Sequence, residues 1–267
     1  MEEQDTSIYE RVFQATKPLT HIKKKLPSSS LEKTYDASSM CNSFAIFSSA
    51  VGHGKSDGSR AYVEDLHYLV DDSVTHVKKV RETHPQLPLF MCGHSMGGAV
   101  SILASLKKEL ELRGVVLIAP ALAANPETAP FFKIFLAKVL SKLAPQCPLS
   151  PMDFNLACRD KAKVEEMFKD PLRCKGYVKA RPVVSLLQGA EDIFRNADDI
   201  QVPFVLLQGD CDKLCHVSGA HKFCEVVKSA DKTLKIYPGA YHSLLNEPDG
   251  VADDVIEKTT KWLDERV

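Results

Sequence analysis

The chain has 267 residues, of which 44% are hydrophobic and 26% charged, the composition of one ordinary α/β domain with room for an insertion. Its 34 Lys plus Arg nearly balance 35 Asp plus Glu, a formal net charge of −1, so no global field draws it to nucleic acid or an anionic membrane. The acidic start MEEQDTS lacks the basic-then-apolar pattern of a secretory signal, and the longest apolar run, 114–124, is too short to span a bilayer.

A cytoplasmic protein is therefore expected, any peripheral membrane contact being local, and composition sets no oligomeric state. The eight cysteines are scattered rather than clustered, which fits reduced thiols better than a disulfide frame. Cys211 and Cys215 have a roughly metal-like spacing, but no paired His/Cys cluster completes a site, so no metal is expected.

In chain order, residues 1–42 are polar, with a lysine run (23–25) and a serine run (28–30). They are expected to be a poorly ordered lead, and the lysines a solvated charge run. From Ser43 the pattern becomes dense. Phe44–Phe47 is a short strand, and VGHGKSDG (51–58) is a glycine-punctuated loop. Val63, Leu66, Val70, Val74 and Val77 recur at steps of three and four, predicting a helix that stops before Pro85. A strand at 87–92, a helix to about Leu112 and a strand at 114–119 follow. Further on come strands at 202–208 and 233–237, a helix at about 218–228, and a closing helix at about 249–266. Alternating strands and helices predict a mostly parallel sheet with both faces covered, over 43–267.

Residues 121–201 break this alternation and are expected to form a helical cap insertion. Within it, Phe131, Phe132, Phe135, Leu136, Val139, Leu140 and Leu143 make one apolar stripe, with Lys133, Lys138 and Lys142 interspersed. Two placements fit: the stripe lies in a membrane interface, or it packs on the domain below.

The segment LPLFMCGHSMGGA (87–99) places Ser95 inside G-H-S-M-G, between a strand-like run and a helix-like run. This is the pattern of a nucleophile elbow, in which Gly93 and Gly97 leave room for a sharp turn. The Met96 N–H would then face negative charge developing beside the serine. A serine needs a base to take its proton and a carboxylate to orient that base, and in this arrangement both follow it in the chain. His216 and His221 belong to a predicted helix and its approach. His242 follows the strand TLKIY at the C-terminal edge of the sheet, where ligands collect. For the carboxylate, Asp210 and Asp212 both follow the strand VPFVLLQ; alternation does not separate them, and position favours Asp212 modestly.

The stretches VGHGKSDG, LPLFMCGHSMGGA, VLIAPALAANPET, FKIFLAKVL, KDPLRC, LLQGDCDKLC, SGA and DKTLKIYPGAYH resemble the monoacylglycerol lipase family. These are α/β-hydrolase-fold serine hydrolases that cleave monoacylglycerols, including 2-arachidonoylglycerol, without a cofactor. The resemblance runs from about Ile46 to the C-terminus. It implies Ser95 as nucleophile, His242 as base, Asp212 as orienting acid and Met96 N–H as an oxyanion donor. It also implies a lipid ester substrate. Cys174 and Cys215 match cysteines near the family's substrate channel, and Leu245 stands where the family usually has a histidine.

The family's H-G-x-G-type loop, which carries the second oxyanion donor, has no counterpart upstream of Phe44. His53-Gly54 matches a different, later loop. The N-terminal strands are thus expected to be incomplete. Losing one oxyanion donor costs about 10²–10³ in turnover, so two further readings fit the same residues: an impaired variant that binds lipid without turning it over, and a serine esterase of other selectivity.

Overall fold

A computed structural model describes residues 33–36, 44–47 and 50–267. The polar lead at 1–42, apart from a strand at 33–36, lies outside the described residues. Strands β1 (Lys33–Asp36) and β2 (Phe44–Phe47) form a two-stranded antiparallel sheet.

The central sheet, as described, has four parallel strands in the order β3–β4–β7–β8, namely Phe90–His94, Gly114–Ile118, Phe204–Gly209 and Lys232–Tyr237. Between β4 and β7 an antiparallel pair, β5 (Pro148–Pro151) and β6 (Tyr177–Lys179), belongs to a separate small sheet. The helices are α1 (Leu66–Thr83), α2 (Met96–Ser105), α3 (Phe131–Leu143), α4 (Lys161–Lys169), α5 (Ala180–Arg195), α6 (Val217–Val226) and α7 (Val251–Asp264).

Strand periodicity builds the layers. In β4 and β7, Val115, Leu117, Phe204 and Leu206 enter one apolar cluster with residues of α1, α2, α5 and α6. The alternate residues Val116, Ile118, Val205 and Leu207 enter a second cluster with Val255 and Trp262 of α7. Both faces are buried, as a parallel sheet requires. Phe204 and Phe223 are almost fully enclosed, with ring centroids 5.2 Å apart, and each stabilises the fold by about 1.5–3 kcal/mol through burial.

Several boundaries differ from those the periodicity predicts. β3 begins at Phe90 instead of Leu87, because Pro88 has no N–H for the ladder. Helix α2 ends at Ser105; a separate 3₁₀ turn, Lys108–Leu110, buries Leu110, so the leucine spacing only mimics one continuous helix. Asp65 caps α1 by accepting from the His67 N–H, and the turn at His84 precedes Pro85.

The 121–201 segment divides in two. Phe154, Cys158, Val164 and Met167 form a small core of their own. Helix α5, in contrast, returns to the main body: Ile193 joins the first cluster, and Gly189 lies so close to Leu66 that a Cβ would come within 2.3 Å of its side chain. Helix α3 buries only Ala137 and Ser141. Its aromatic stripe is exposed, Phe131 by 83% and Leu143 by 79%, which excludes the expectation that the stripe packs on the domain below. Among the described residues no helix is long and apolar enough to cross a membrane.

Candidate active site

Ser95 sits at the junction of β3 and α2 with φ 54° and ψ −120°. A side-chain-bearing residue in this region costs about 1–3 kcal/mol and persists only where its surroundings impose it. Here they do. The Ser95 N–H donates to Ile118 O of the neighbouring strand at 3.0 Å, and its carbonyl accepts from Gly98 and Ala121 N–H, both at 3.0 Å.

The close approach that makes the turn possible is at Gly93, where a Cβ would stand 2.2 Å from Gly97 O, and at Gly98, against Pro120. The expectation that Gly97 supplies the room is corrected: a Cβ at Gly97 meets nothing within 4 Å, and it is that residue's backbone that needs Gly93 to be bare. Met96 opens α2, so its N–H has no intrahelical acceptor and is free to meet an anion beside Ser95.

The two aspartates of GDCDKLC separate cleanly. Asp210 is exposed and closes a loop, accepting from Gly239 N–H at 2.6 Å. Asp212 is 2% exposed. Its Oδ1 accepts from the N–H groups of Leu214 (2.7 Å) and Cys215 (2.9 Å), and its Oδ2 from Gln208 Nε2 (2.9 Å) and His242 Nδ1 (2.7 Å). Asn125 Nδ2 donates to the Asp212 carbonyl at 2.7 Å. Four donors therefore hold the carboxylate in one fixed orientation.

His242 follows β8 and is 4% exposed. The β7 and β8 ends that carry Asp212 and His242 meet closely, since a Cβ on Gly209 would come within 2.3 Å of Ala240 O. With Nδ1–H committed to Asp212, the neutral ring presents its lone pair at Nε2. Burial disfavours the imidazolium, but Cys215 and Asp212 together outweigh it, so the His242 pKa moves upward. His94 lies beside it, its ring 4.7 Å away centroid to centroid and its Nε2 donating to His242 O at 3.2 Å. Burial first, then the adjacent His242, push the His94 pKa down. Among the described residues no hydrogen bond joins Ser95 Oγ to His242; such contacts often tighten only when substrate binds.

The other predicted positions scatter. His216 caps α6 and His221 is exposed. Cys215 is buried against His242, with its amide on Asp212. Cys174 is half-buried in the segment between α4 and β6. Leu245 packs with Val116, Ile118 and Trp262 in the second apolar cluster. The His53 ring bonds Val51 O at 3.0 Å within its own loop.

Sequence reasoning did not identify Gln208, Asn125 and His94. Gln208 carried a signal, being an amide in an otherwise apolar strand. It also missed a clamp on the His242 loop: Glu247 accepts from Arg159 Nε at 2.5 Å and from the Arg159 N–H at 2.9 Å, while Ser243 N–H donates to Ala157 O at 2.7 Å.

An open parallel sheet covered on both faces, with a strained serine at its strand-to-helix turn and a buried Asp–His pair beyond later strands, defines an α/β-hydrolase. Residues 44–249 match the serine aminopeptidase S33 family, Hydrolase_4. The chain is 42% identical to monoglyceride lipase of Homo sapiens over 216 residues, 81% of this chain and 71% of the relative. Among solved structures, a Paleococcus ferrophilus monoacylglycerol lipase superposes with a TM-score of 0.76 at 27% identity, covering 85% of each chain. A soluble variant of Saccharomyces cerevisiae monoglyceride lipase, in complex with a substrate analogue, gives 0.75 at 26% identity, covering 85% of this chain and 78% of that one. The chain belongs to the monoglyceride lipase family.

Proposed function

We propose that this chain is a serine ester hydrolase that cleaves monoacylglycerols to fatty acid and glycerol. The observation that carries the reading is the buried Asp212–His242 hydrogen bond of 2.7 Å at the same sheet edge as the strained Ser95 turn. Family membership supports the substrate class, since the human, archaeal and yeast relatives are named for monoglyceride or monoacylglycerol hydrolysis.

Ser95 Oγ attacks the ester carbonyl while His242 Nε2 takes its proton. The Met96 N–H meets the developing oxyanion. His242 then returns the proton to the departing glycerol oxygen, and water repeats the sequence to free the fatty acid. Asp212 holds the imidazole in the required tautomer and stabilises the imidazolium as it forms. His94, kept neutral, adds no competing charge beside it. None of these steps calls for a metal or organic cofactor.

The exposed stripe of α3 suits a membrane interface, where a monoacylglycerol resides. Its apolar residues Phe131, Phe132, Phe135 and Leu136 have Lys133, Lys138 and Lys142 beside them, the pattern of an interfacial helix. In this role the protein works peripherally at the cytoplasmic side of a bilayer.

A fluorophosphonate probe tests the nucleophile. The wild-type chain is expected to label at Ser95 and to hydrolyse monoacylglycerol, and Ser95→Ala to do neither. Absence of labelling in a folded sample would refute the enzymatic reading.

A further inference from the structure

The hydrolytic sequence leaves the buried thiol of Cys215, beside Asp212 and His242, unused. Cys215 is 7% exposed. The Cys215 sulfur, an Asp212 carboxylate oxygen and a His242 ring nitrogen all lie within 4.8 Å of one another, and all three residues are buried. The backbone fixes the sulfur in place. Cys215 N–H donates to Asp212 Oδ1 at 2.9 Å, its carbonyl accepts from Gln208 Nε2 at 3.2 Å, and it bridges Ala124.

Thiolate, imidazole and carboxylate are the three donor types that zinc accepts, at about 2.0–2.3 Å. Donors around one such ion stand about 3–4 Å apart by tetrahedral geometry, so small side-chain movements close this cluster on a cation. The support such ligands need is present, because Gln208 and two backbone amides already hold the Asp212 carboxylate.

We propose that Asp212, Cys215 and His242 form an inhibitory site for a zinc-type divalent cation. On binding, the Cys215 thiol and the His242 imidazolium each lose a proton to solvent, and the sulfur lone pair bonds the metal. A His242 ring nitrogen and an Asp212 oxygen donate lone pairs alongside it, and no electron transfer occurs. Hydrolysis stops because the imidazole can no longer exchange a proton with Ser95, and it resumes when a chelator removes the cation. The binding stands on the cluster's geometry alone; only the inhibition rests on the hydrolase reading.

The test uses the full chain in two parallel measurements. Co²⁺, a spectroscopic stand-in for zinc, is titrated while thiolate-to-metal absorption is followed; buffered Zn²⁺ is titrated against monoacylglycerol hydrolysis, with EDTA added at the end. Wild-type protein is expected to show the cobalt–thiolate band and chelator-reversible inhibition. Cys215→Ala and Cys215→Ser, checked for folding by circular dichroism, are expected to lose the band and to need at least about tenfold more Zn²⁺ for inhibition. Cys211→Ala, which removes an exposed thiol nearby in sequence, is expected to retain both responses. A band that survives in both Cys215 variants, a band that disappears with Cys211→Ala, or no band in the wild type would overturn the proposal. The cobalt signal does not depend on turnover, so a chain that hydrolyses no ester but shows a Cys215-dependent band would refute the hydrolase reading and uphold the site.

Discussion

Replacing Arg159 with alanine tests how firmly the segment after β5 holds the His242 loop. The Glu247 side chain is fully enclosed, whereas that of Arg159 is 31% exposed. Arg159→Ala leaves the Glu247 carboxylate with the residue-159 N–H but without its charge partner. Breaking a buried pair costs about 3–5 kcal/mol; water can enter from the exposed Arg159 side, so the expected loss is lower, about 2–3 kcal/mol. At about 2–4 °C per kcal/mol for a domain near this size, Tm falls by about 5–10 °C. Activity should fall as well, because Glu247 is five residues past His242 and the same loop bonds Ala157 and Cys158. A displacement of about 1 Å at His242, the proposed base, can cost up to about 10²-fold, and the loss should appear in kcat more than in KM. The assay is denaturant and thermal unfolding of Arg159→Ala, Glu247→Gln and the double variant Arg159→Met with Glu247→Leu, each with steady-state kinetics. The apolar double variant should recover most of the stability, since it buries no unpaired charge. A loss under about 1 kcal/mol for Arg159→Ala, or a double variant no more stable than that single one, would refute the reasoning.

Asp212→Asn keeps the shape but is expected to reduce kcat by about 10³–10⁴-fold, as seen when an orienting carboxylate is lost elsewhere; near-normal turnover would remove Asp212 from its role. The His242 pKa is displaced upward, so its free base forms only at higher pH. The acid limb of kcat/KM should have its midpoint above the ordinary histidine value of about 6.5, and Cys215→Ala should move that midpoint down. The sign for stability is opposite: the His242 interactions contribute fully below about pH 6.5 and are lost as pH rises through the folded-state value. Gly93→Ala should abolish soluble, labelled enzyme because its Cβ meets backbone, while Gly97→Ala should cost at most about 1 kcal/mol in unfolding experiments. Phe131→Asp with Leu136→Asp should reduce cosedimentation with liposomes and leave hydrolysis of a small soluble ester unchanged; undiminished liposome binding would count against the interfacial role of α3.

What could be read from the sequence was local. The glycine-flanked serine between an apolar strand and an apolar helix is legible because strand, turn and helix are adjacent in the chain. The parallel sheet follows from the same alternation, and Pro88 explains the late start of β3. Asp210 and Asp212 could not be separated, because they share one turn and differ only in which of them meets His242, thirty residues on. The Arg159–Glu247 clamp joins residues 88 apart in sequence, a distance at which charge pattern carries no signal. Gln208 was legible in principle, as a polar residue that is 1% exposed in a strand of apolar neighbours needs a buried partner. The outward stripe of α3 could not be told from an inward one, since periodicity defines a face without saying what lies against it.

The passage from β4 to β7 leaves the sheet after Ile118 and re-enters at Phe204, on the neighbouring strand. Eighty-odd residues thus form an excursion that leaves one edge of the sheet and returns at the opposite edge, because the two adjacent strands are parallel. The excursion meets the loop after His242 at Ala157 to Arg159, through Ser243, Asn246 and Glu247.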